Sequence, residues 1–348
     1  MFTQKCRGIS RKNLTKLQED SPETLALITM VQAVNAALRQ EMRGNENVVA
    51  IGEDIGREGG VFRATAGLQN EFGPQRVIDS PLGEDAIIGT AIGMSLYGLI
   101  PVVEIQFMDF VYPGFSQIIN ELAKFRYRSG GQYAPRVVVR MPYGGGIKGG
   151  LYHSQSTEAF FTHTPGLVVV SPSRPYDTKG LLLSAMRSSD PVIFLEPKRI
   201  YRTVKEEVPE HDYTIPIGKA DTLLQGDDVT LLSWGAMVQT CKETVSLASK
   251  EGISVELIDL RSLLPFDIET ILSSVRKTGR LVIAHEAPKI GGFGGEIAAQ
   301  VSERAIDSLK APLVRVGGYD TPFPYSLENS YLPSPQRVLD YVRKLASY

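Results

Sequence analysis

Short, continuously apolar runs recur along the first half of the chain. They cover residues 48–54, 76–80, 100–107, 136–141, 166–172 and 191–197. Runs of this length and composition are typical of strands that are buried on both faces of a parallel sheet. The pattern therefore predicts a sheet whose strands lie in the interior of the molecule.

Helical patterns fill the intervals between these runs. Thr29 is a suitable N-cap for a helix that continues to about Arg43 with its apolar positions along one face. Further helices are predicted at Asp85–Leu96, Phe115–Arg128 and Pro175–Arg187. Strands and helices in alternation predict right-handed βαβ units and a doubly wound sheet.

The same alternation returns after a polar segment, residues 198–228, which contains no long periodic run. Strands are predicted at 229–235, 254–260, 280–286 and 312–316, and helices up to about Lys250 and near 268–275, 296–306 and 335–346. We therefore predict an α/β protein with two doubly wound α/β/α domains. The predicted boundaries are an N-terminal extension at 1–24, a first domain at 25–205, a linker at 206–216 and a second domain at 217–348.

Composition narrows the class of protein. The chain has 348 residues, of which 43% are hydrophobic and 22% charged, as in ordinary globular proteins. A net charge of -2 gives no electrostatic reason to bind nucleic acid or an anionic membrane. No apolar run reaches the roughly 18 residues of a membrane span. Cys6 and Cys241 form no CxxC pair, so we predict a reducing compartment rather than a disulfide scaffold.

The first residues are basic, because Lys5, Arg7, Arg11, Lys12 and Lys16 all precede the first acid. This segment has no apolar stretch of the kind found in secretory signals. We interpret it as an extension outside the fold, either a disordered or docking tail or an organelle transit peptide. The predicted location is the cytoplasm, with the mitochondrial matrix as the alternative if the segment is a transit peptide.

Open α/β sheets bind ligands at the carboxyl ends of their strands. That rule selects Ser80–Asp85, Gln106–Phe110, Pro142–His153 and His285–Gly295. Glu84 stands in the first turn of an almost entirely apolar, glycine-rich helix, at the edge of a dry environment. Glu84 is then either a carboxylate favoured by the helix dipole or one with a raised pKa that hydrogen-bonds a ligand nitrogen.

His153 follows a loop that has five glycines among the seven residues 144–150. Glycines allow close approach of a ligand or a second chain. His153 is either a structural histidine or a general acid–base at a strand end. Neither this loop nor GGFGG at 291–295 has the spacing of a nucleotide-binding loop. His285 and Glu286 are adjacent in sequence, which does not suit a zinc site.

Several segments, spread over both predicted domains, carry a family resemblance. They are IGEDIG (51–56), GGVFRAT (59–65), RVIDSPLGE (76–84), EIQFMDF (104–110), FRYRSGG (125–131), LYHSQSTEAFF (151–161) and HEAPKIGGFGGEIA (285–298). Together they resemble the beta subunits of 2-oxo-acid dehydrogenases, from about residue 25 to 345. FRYRSGG and LYHSQSTEAFF are most similar to the branched-chain members, whereas GGVFRAT and residues 208–220 are also similar to bacterial pyruvate dehydrogenase beta subunits.

The resemblance implies a transketolase-like pyrimidine-binding domain followed by a transketolase C-terminal domain. It also implies that thiamine diphosphate binds between this chain and an alpha subunit in an α2β2 heterotetramer. In that family the alpha chain holds the magnesium and diphosphate through a GDG…N motif. This sequence contains no GDG; Gly226-Asp227-Asp228 is the nearest match. The resemblance therefore implies oxidative decarboxylation of a branched-chain 2-oxo acid, with acyl transfer to the lipoyl groups of an acyltransferase core.

Site residues follow from the resemblance at matching positions. Glu84 would bond the pyrimidine ring nitrogen, with Leu82 and Gln106 lining the ring. Phe110 occupies a position where branched-chain members usually have Tyr, so stacking remains without a hydroxyl contact. His153 matches the catalytic histidine that moves protons near the substrate and the lipoyl group. The resemblance also implies a potassium site on backbone carbonyls, with candidates Val137, Val138, Ala185, Ser188 and Asp190.

Two alternatives to a branched-chain enzyme stay open. The chain is similar enough to related systems to be a pyruvate or acetoin dehydrogenase beta subunit. The second alternative is a non-catalytic scaffold that docks the acyltransferase core through the C-terminal domain. The presence of both Glu84 and His153 argues against a scaffold.

Overall fold

The computed structural model describes residues 24–348, so the prediction for the basic extension concerns residues that lie almost wholly outside the described part. The described residues form a seven-stranded sheet, a five-stranded sheet and a two-stranded ribbon. No helix within residues 24–348 is long and apolar enough to cross a membrane.

The strands are β1 (Leu25–Thr29), β2 (Val48–Gly52), β3 (Val77–Asp79), β4 (Ile100–Glu104), β5 (Val138–Tyr143), β6 (Val168–Val170), β7 (Val192–Pro197), β8 (Lys205–Pro209), β9 (Asp221–Leu224), β10 (Val229–Ser233), β11 (Val255–Asp259), β12 (Ser262–Leu264), β13 (Leu281–Pro288) and β14 (Val314–Gly318). The helices are α1 (Met30–Gly44), α2 (Leu68–Phe72), α3 (Glu84–Leu96), α4 (Phe125–Arg128), α5 (Glu158–Thr162), α6 (Pro175–Met186), α7 (Met237–Lys250), α8 (Ile268–Thr278), α9 (Gly294–Ala305), α10 (Glu328–Tyr331) and α11 (Pro335–Ala346).

The first sheet has the strand order β12-β6-β7-β5-β4-β2-β3, and all of its strands except β12 run parallel. Its strands are apolar on both faces, because Ile51 and Val103 belong to one apolar cluster whereas Ala50 and Val102 belong to another. Helices α1 and α6 pack together over the second of these clusters. This arrangement confirms the doubly wound sheet, with the carboxyl ends of its parallel strands at one edge.

Helix α1 begins where the sequence predicts. The side-chain hydroxyl of Thr29 accepts a hydrogen bond from the backbone N–H of Gln32, and the Gln32 side chain accepts one from the backbone N–H of Thr29. This reciprocal capping box satisfies two donors that the first turn leaves free. The cap places α1 directly after the ribbon strand β1.

The second sheet has the order β14-β13-β10-β11-β9, with only β9 antiparallel. One apolar cluster contains Val139 and Val169 of the first sheet together with Ile258 and Ile271 of the second region. The two α/β units are therefore packed against each other through a shared core rather than joined only by a linker.

Polar segment 198–228 contains strands that its pattern did not predict. Strand β8 pairs with β1 in the ribbon, and β9 forms an edge of the second sheet. Strand β12, which lies in the second region along the chain, adds antiparallel to β6 at the edge of the first sheet. All of these are short edge elements, so they lack the long apolar run that marks a central strand.

The single helix expected at Phe115–Arg128 is wrong. The segment forms a π-helical stretch, Gln117–Leu122, and then the short helix α4. The N–H of Ala123 bonds the carbonyl of Ile118, five residues back. Just before the π-helical stretch, the chain packs closely on α3. A Cβ on Gly114 would lie 2.8 Å from the carbonyl oxygen of Glu84. Packing against α3 has therefore overridden the regular helical pattern.

Candidate functional site

Glu84 is the first residue of α3, beyond the carboxyl end of β3, as the sequence predicts. Its side chain is half-buried, whereas the Leu82 side chain is 73% exposed. The buried hydroxyl of Ser80 has no hydrogen-bond partner among the described residues. A carboxylate, an orphaned hydroxyl and an exposed apolar side chain thus stand together where α3 begins.

A second carboxylate, Glu53, lies near Glu84 and was not predicted. It follows β2, the strand beside β3. Burial, and then the charges of Asp54 and Glu84, raise the pKa of the Glu53 carboxyl above its usual value. Like-charged neighbours at strand ends are typical of ligand sites. The sequence feature that could have indicated Glu53 is IGED (51–54), in which two acidic residues stand at the end of the predicted strand.

His153 lies against the aromatic residues that follow β4. Its ring centroid is 4.7 Å from that of Phe107 and 5.2 Å from that of Phe110, both in edge-on geometry. The structure therefore brings two predicted site residues, Phe110 and His153, into contact although they are far apart in the chain. Gln106 is half-buried and immediately precedes this aromatic pair. Apolar walls around an acid–base histidine exclude water from the atoms it serves.

Asp109 holds the segment that carries the histidine. One of its carboxylate oxygens accepts hydrogen bonds from the backbone N–H groups of Ser154 and Gln155, at 3.2 and 3.1 Å. Asp109 is 6% exposed, and its other oxygen has no hydrogen-bond partner among the described residues. Residues 144–155, here called the His153 loop, are thus fixed at one end by a buried charge-assisted bond.

A buried ionic group lies within the first sheet, at the ends of its central strands. Arg140, 1% exposed, donates two hydrogen bonds to Glu196, at 2.6 and 2.9 Å, and one to Glu104, at 2.8 Å. Burial raises the pKa of Glu104, while the Arg140 charge opposes that rise. The hydroxyl of Tyr201 also donates to Glu196. Buried charges need such complete pairing. The group links the side chains of β4, β5 and β7 near the carboxyl ends of these strands.

His285, in the other glycine-rich candidate segment, is a core residue. It is fully buried and stacks on Trp234 with ring centroids 5.3 Å apart. Burial is the largest cause that lowers the pKa of His285, to about 4, so the ring is neutral at physiological pH. Gly294 and Gly317 pack around it, since a Cβ at either would lie 3.0–3.1 Å from the ring. The structure does not bring His285 to the site.

The two regions meet beside His153. The indole N–H of Trp234 donates to Glu158 at 3.3 Å, and burial raises the pKa of Glu158 to about 7. A cleft of about 260 Å³ opens next to this pair. It is lined by residues 155–157, 159 and 160 on one side and by 287, 288, 290–292 and 321–323 on the other. The site therefore lies beside a junction, where ligands commonly bind.

The potassium candidates lie together but are already engaged. The Val137 carbonyl accepts from the N–H of Val192, and the Ala185 carbonyl from that of Ser188. The Arg136 guanidinium donates to the Ser188 carbonyl at 3.1 Å. Asp190 pairs with Arg126, and Val138 lies within β5. A guanidinium thus supplies positive charge at one of these oxygens, that of Ser188, and a potassium ion here stays a prediction.

Comparison with known proteins gives concordant results. Residues 26–204 match the transketolase pyrimidine-binding domain, and residues 218–338 match the transketolase C-terminal domain. The mitochondrial 2-oxoisovalerate dehydrogenase subunit beta of Dictyostelium discoideum is 47% identical, over 97% of this chain and 91% of that protein. The pyruvate dehydrogenase E1 component subunit beta of Bacillus subtilis is also 47% identical, over 93% of this chain and 100% of that protein.

A second Bacillus subtilis protein, the 2-oxoisovalerate dehydrogenase subunit beta, is 46% identical over 93% of this chain and 100% of its own length. Among solved structures, a split gene transketolase described as an inactive beta4 tetramer superposes with a TM-score of 0.75. It is 24% identical, and the match covers 92% of this chain and 99% of the other. At that identity the structural match supports the fold alone.

Proposed function

The chain belongs to the beta subunits of the 2-oxo-acid dehydrogenases, and we propose that it acts with an alpha subunit in thiamine-diphosphate-dependent oxidative decarboxylation of branched-chain 2-oxo acids. The observation that supports this proposal most is that candidate site residues lie near one another at the carboxyl edge of the first sheet. There Phe110 and His153 are in ring contact, and the loop that follows Phe110 packs at Gly114 on the backbone of Glu84. The proposed partners are an alpha subunit in an α2β2 heterotetramer and a lipoyl-bearing acyltransferase core.

The residues present fit the aminopyrimidine end of the cofactor. A flat heterocycle with ring nitrogens needs a carboxylate and an apolar contact, and Glu84, Leu82 and Phe110 provide them. The orphaned Ser80 hydroxyl is a further polar group that a ligand would satisfy. We propose that the alpha subunit holds the magnesium and the diphosphate, as the sequence led us to expect.

When bound, thiamine diphosphate supplies the electron sink for decarboxylation. Glu84 would hold a proton at the pyrimidine ring nitrogen and so orient the ring. The neighbouring carboxylate Glu53, whose pKa is raised by burial and by the charges of Asp54 and Glu84, is a second acidic group near the ring. His153 would move protons at the substrate and at the incoming lipoyl group, while the Phe107 and Phe110 rings keep water away from it.

The apolar surroundings of His153 favour a substrate with an aliphatic side chain. Phe107 and Phe110 present ring edges and no hydroxyl to this side of the site. Pyruvate is the second candidate, because a relative named for pyruvate matches as well as one named for 2-oxoisovalerate. The relatives include mitochondrial and bacterial proteins, so the cytoplasmic location stays a prediction.

Reconstitution tests the function. The chain is purified alone and with its alpha subunit, and each preparation is given cofactor, magnesium, a lipoylated acyltransferase and a panel of 2-oxo acids. We expect turnover only with the alpha subunit, and the highest kcat/KM with branched-chain 2-oxo acids. Turnover or micromolar cofactor binding by the chain alone would contradict the proposed division of the site. A preference for pyruvate would select the second candidate.

Glu84→Gln tests the carboxylate, and Asp85→Asn is its matched control. Both residues lie in the first turn of α3, so the helix dipole favours both charges alike. We expect Glu84→Gln to lower turnover about 10²-fold with assembly intact, because an amide is a poorer proton acceptor of similar size. Asp85→Asn should leave turnover within about threefold. If both changes have equally small effects, the role of Glu84 is only to stabilise the start of α3 through the helix dipole.

A further inference from the structure

Carboxylates from three separate segments hold the His153 loop. Besides Asp109 at its far end, Glu286 of β13 accepts from the backbone N–H of Gly145 at 3.3 Å. Glu328 of α10 accepts from the N–H of Lys148 at 3.1 Å. The approach of Glu286 requires glycine, since Gly144 has φ +81° and a Cβ there would lie 2.4 Å from the carboxylate. Two of the three holding residues therefore come from the second region.

One buried amine interacts electrostatically with all three carboxylates. Lys198 follows β7, is 4% exposed, and its ammonium nitrogen has no hydrogen-bond partner among the described residues. The charges that act on it are those of Asp109, Glu286 and Glu328. Its nitrogen also lies 5.5 Å from the centroid of the Phe107 ring, which contacts His153. Lys198 thus lies between the loop's anchors and the aromatic wall of the site.

We propose that Lys198 is a positioning residue for His153: its ammonium group balances the three carboxylates that hold the His153 loop and so keeps the loop in its catalytic position. This inference rests on the proposed role of His153. Three carboxylates of like charge repel one another, and a low-dielectric interior strengthens that repulsion. Without the central cation they would separate, and the backbone hydrogen bonds to Gly145, Lys148 and Ser154 would loosen with them.

Stability alone does not account for this lysine. Burial is the main cause that lowers the pKa of Lys198, to about 8, against the raising effect of the three carboxylates. The charged form is therefore less favourable here than in water, so the cost of burying this ammonium group offsets part of the stability that its attraction to the carboxylates contributes. Arg199, next in the chain, lies 3.1 Å from Glu286 but is only partly buried, and no contact links it to Asp109 or Glu328. Lys198, by contrast, is acted on by the charges of all three carboxylates.

The test uses Lys198→Met and Lys198→Arg in the reconstituted complex, with Lys205→Met on the exposed strand β8 as the matched control. We expect Lys198→Met to lower kcat of the overall reaction at least about tenfold, with KM for the 2-oxo acid changed less than about threefold. Lys198→Arg should recover most of the rate. The unfolding midpoint should stay within about 3 °C of the parent, since relief of the buried ammonium group offsets the repulsion left among the carboxylates. Lys205→Met should match the parent.

Two further measurements separate positioning from a general structural defect. Amide hydrogen exchange in residues 144–155 should quicken in Lys198→Met, with the rest of the first sheet unchanged. The double variant Asp109→Asn/Lys198→Met should regain several-fold of the lost rate, because it removes one repelling charge and keeps an oxygen to accept from Ser154 and Gln155. An unfolding midpoint that falls in parallel with the rate, or a double variant that is worse than Lys198→Met, would overturn the proposal.

His153→Ala runs in the same assay, so that the two proposals can fail separately. If His153→Ala is active, the proposed role of His153 is wrong, and Lys198 is then judged by exchange in the loop, which needs no catalysis. Normal kcat and unchanged exchange in Lys198→Met would refute the positioning role whatever His153 does. If Lys198→Met does not assemble, Asp109→Asn/Lys198→Met decides: restored assembly supports charge balance, and continued failure opposes it.

Discussion

The carboxyl edges of the two sheets contain similar sequence elements but differ in how they use them. Each has a histidine near a glycine-rich segment, His153 in the first region and His285 in the second. His153 is half-buried between aromatic rings, whereas His285 is enclosed in the core and stacked on Trp234. A strand-end histidine therefore indicates chemistry only when the packing leaves it within reach of a ligand.

The second region contributes to the site by support. Glu286, the residue after the buried His285, reaches the His153 loop, and Trp234 donates to Glu158 on the first region. Burying His285 places its neighbour Glu286 on the opposite face of β13, towards the loop, since successive side chains of a strand alternate. The same strand thus supplies a core residue and a loop anchor. Three measurements test whether the reaction takes place at the first sheet while the second region only supports it.

The largest expected effect is that of His153→Ala in the reconstituted complex. We expect the overall rate to fall about 10²–10⁴-fold, the usual contribution of a positioned general acid–base, with cofactor affinity nearly unchanged. His163→Ala, an exposed histidine ten residues away, is the control. Steady-state assays with lipoylated acyltransferase, together with cofactor titration, separate rate from affinity. A loss below about tenfold, or one mainly in affinity, would make His153 a structural residue like His285.

A smaller effect, on stability, is expected at the junction for Glu158→Gln. The pKa of Glu158 is raised from 4.5 to about 7, so the folded state holds a proton that the unfolded state loses between those values. The stability this group contributes is present at low pH and is lost as the pH rises through 7. Gln cannot ionise and can still accept from Trp234. We expect it to stabilise the chain by about 3 kcal/mol at pH 8 and by less than about 1 kcal/mol at pH 5.

Thermal unfolding of parent and Glu158→Gln at the two pH values measures this difference directly. Ser156→Ala, at the same cleft but without a titrating group, is a control for the pH dependence. An equal gain in stability at both pH values would mean that Gln improves packing and that ionisation of Glu158 does not destabilise the folded state. A loss at both values would mean that its hydrogen bonds outweigh the cost of burial.

The smallest expected effect on rate is that of His285→Phe. The aromatic ring preserves the stack on Trp234, and the lowered pKa of His285 means that no charge is lost at neutral pH. We expect turnover within about threefold of the parent. The tight glycine surroundings should cost about 1–3 kcal/mol of stability through overpacking. Urea unfolding and the complex assay measure the two quantities. A large fall in rate without a loss of stability would indicate that His285 takes part in the reaction.

Much of the fold could be predicted from local patterns. Continuously apolar runs marked the central strands of both sheets, and Thr29 marked the start of α1. The short edge strands β1, β8, β9 and β12 were missed, because strands of three to five residues carry no long apolar run, and β1, β8 and β9 are also partly exposed. The helix expected after Phe115 was broken by packing on α3, which no local pattern records.

For the site, residue types and their order could be read from the chain: Glu84 after one strand, Phe110 after the next, and His153 after a glycine-rich loop. Only the tertiary structure decided which of them meet and what holds them. The bond from Lys148 to Glu328 spans 180 residues of chain, and that from Gln155 to Asp109 spans 46. The burial of Lys198 and the enclosure of His285 are likewise products of packing. Local periodicity reflects backbone geometry over a few residues, whereas distances and burial depend on how distant segments pack together.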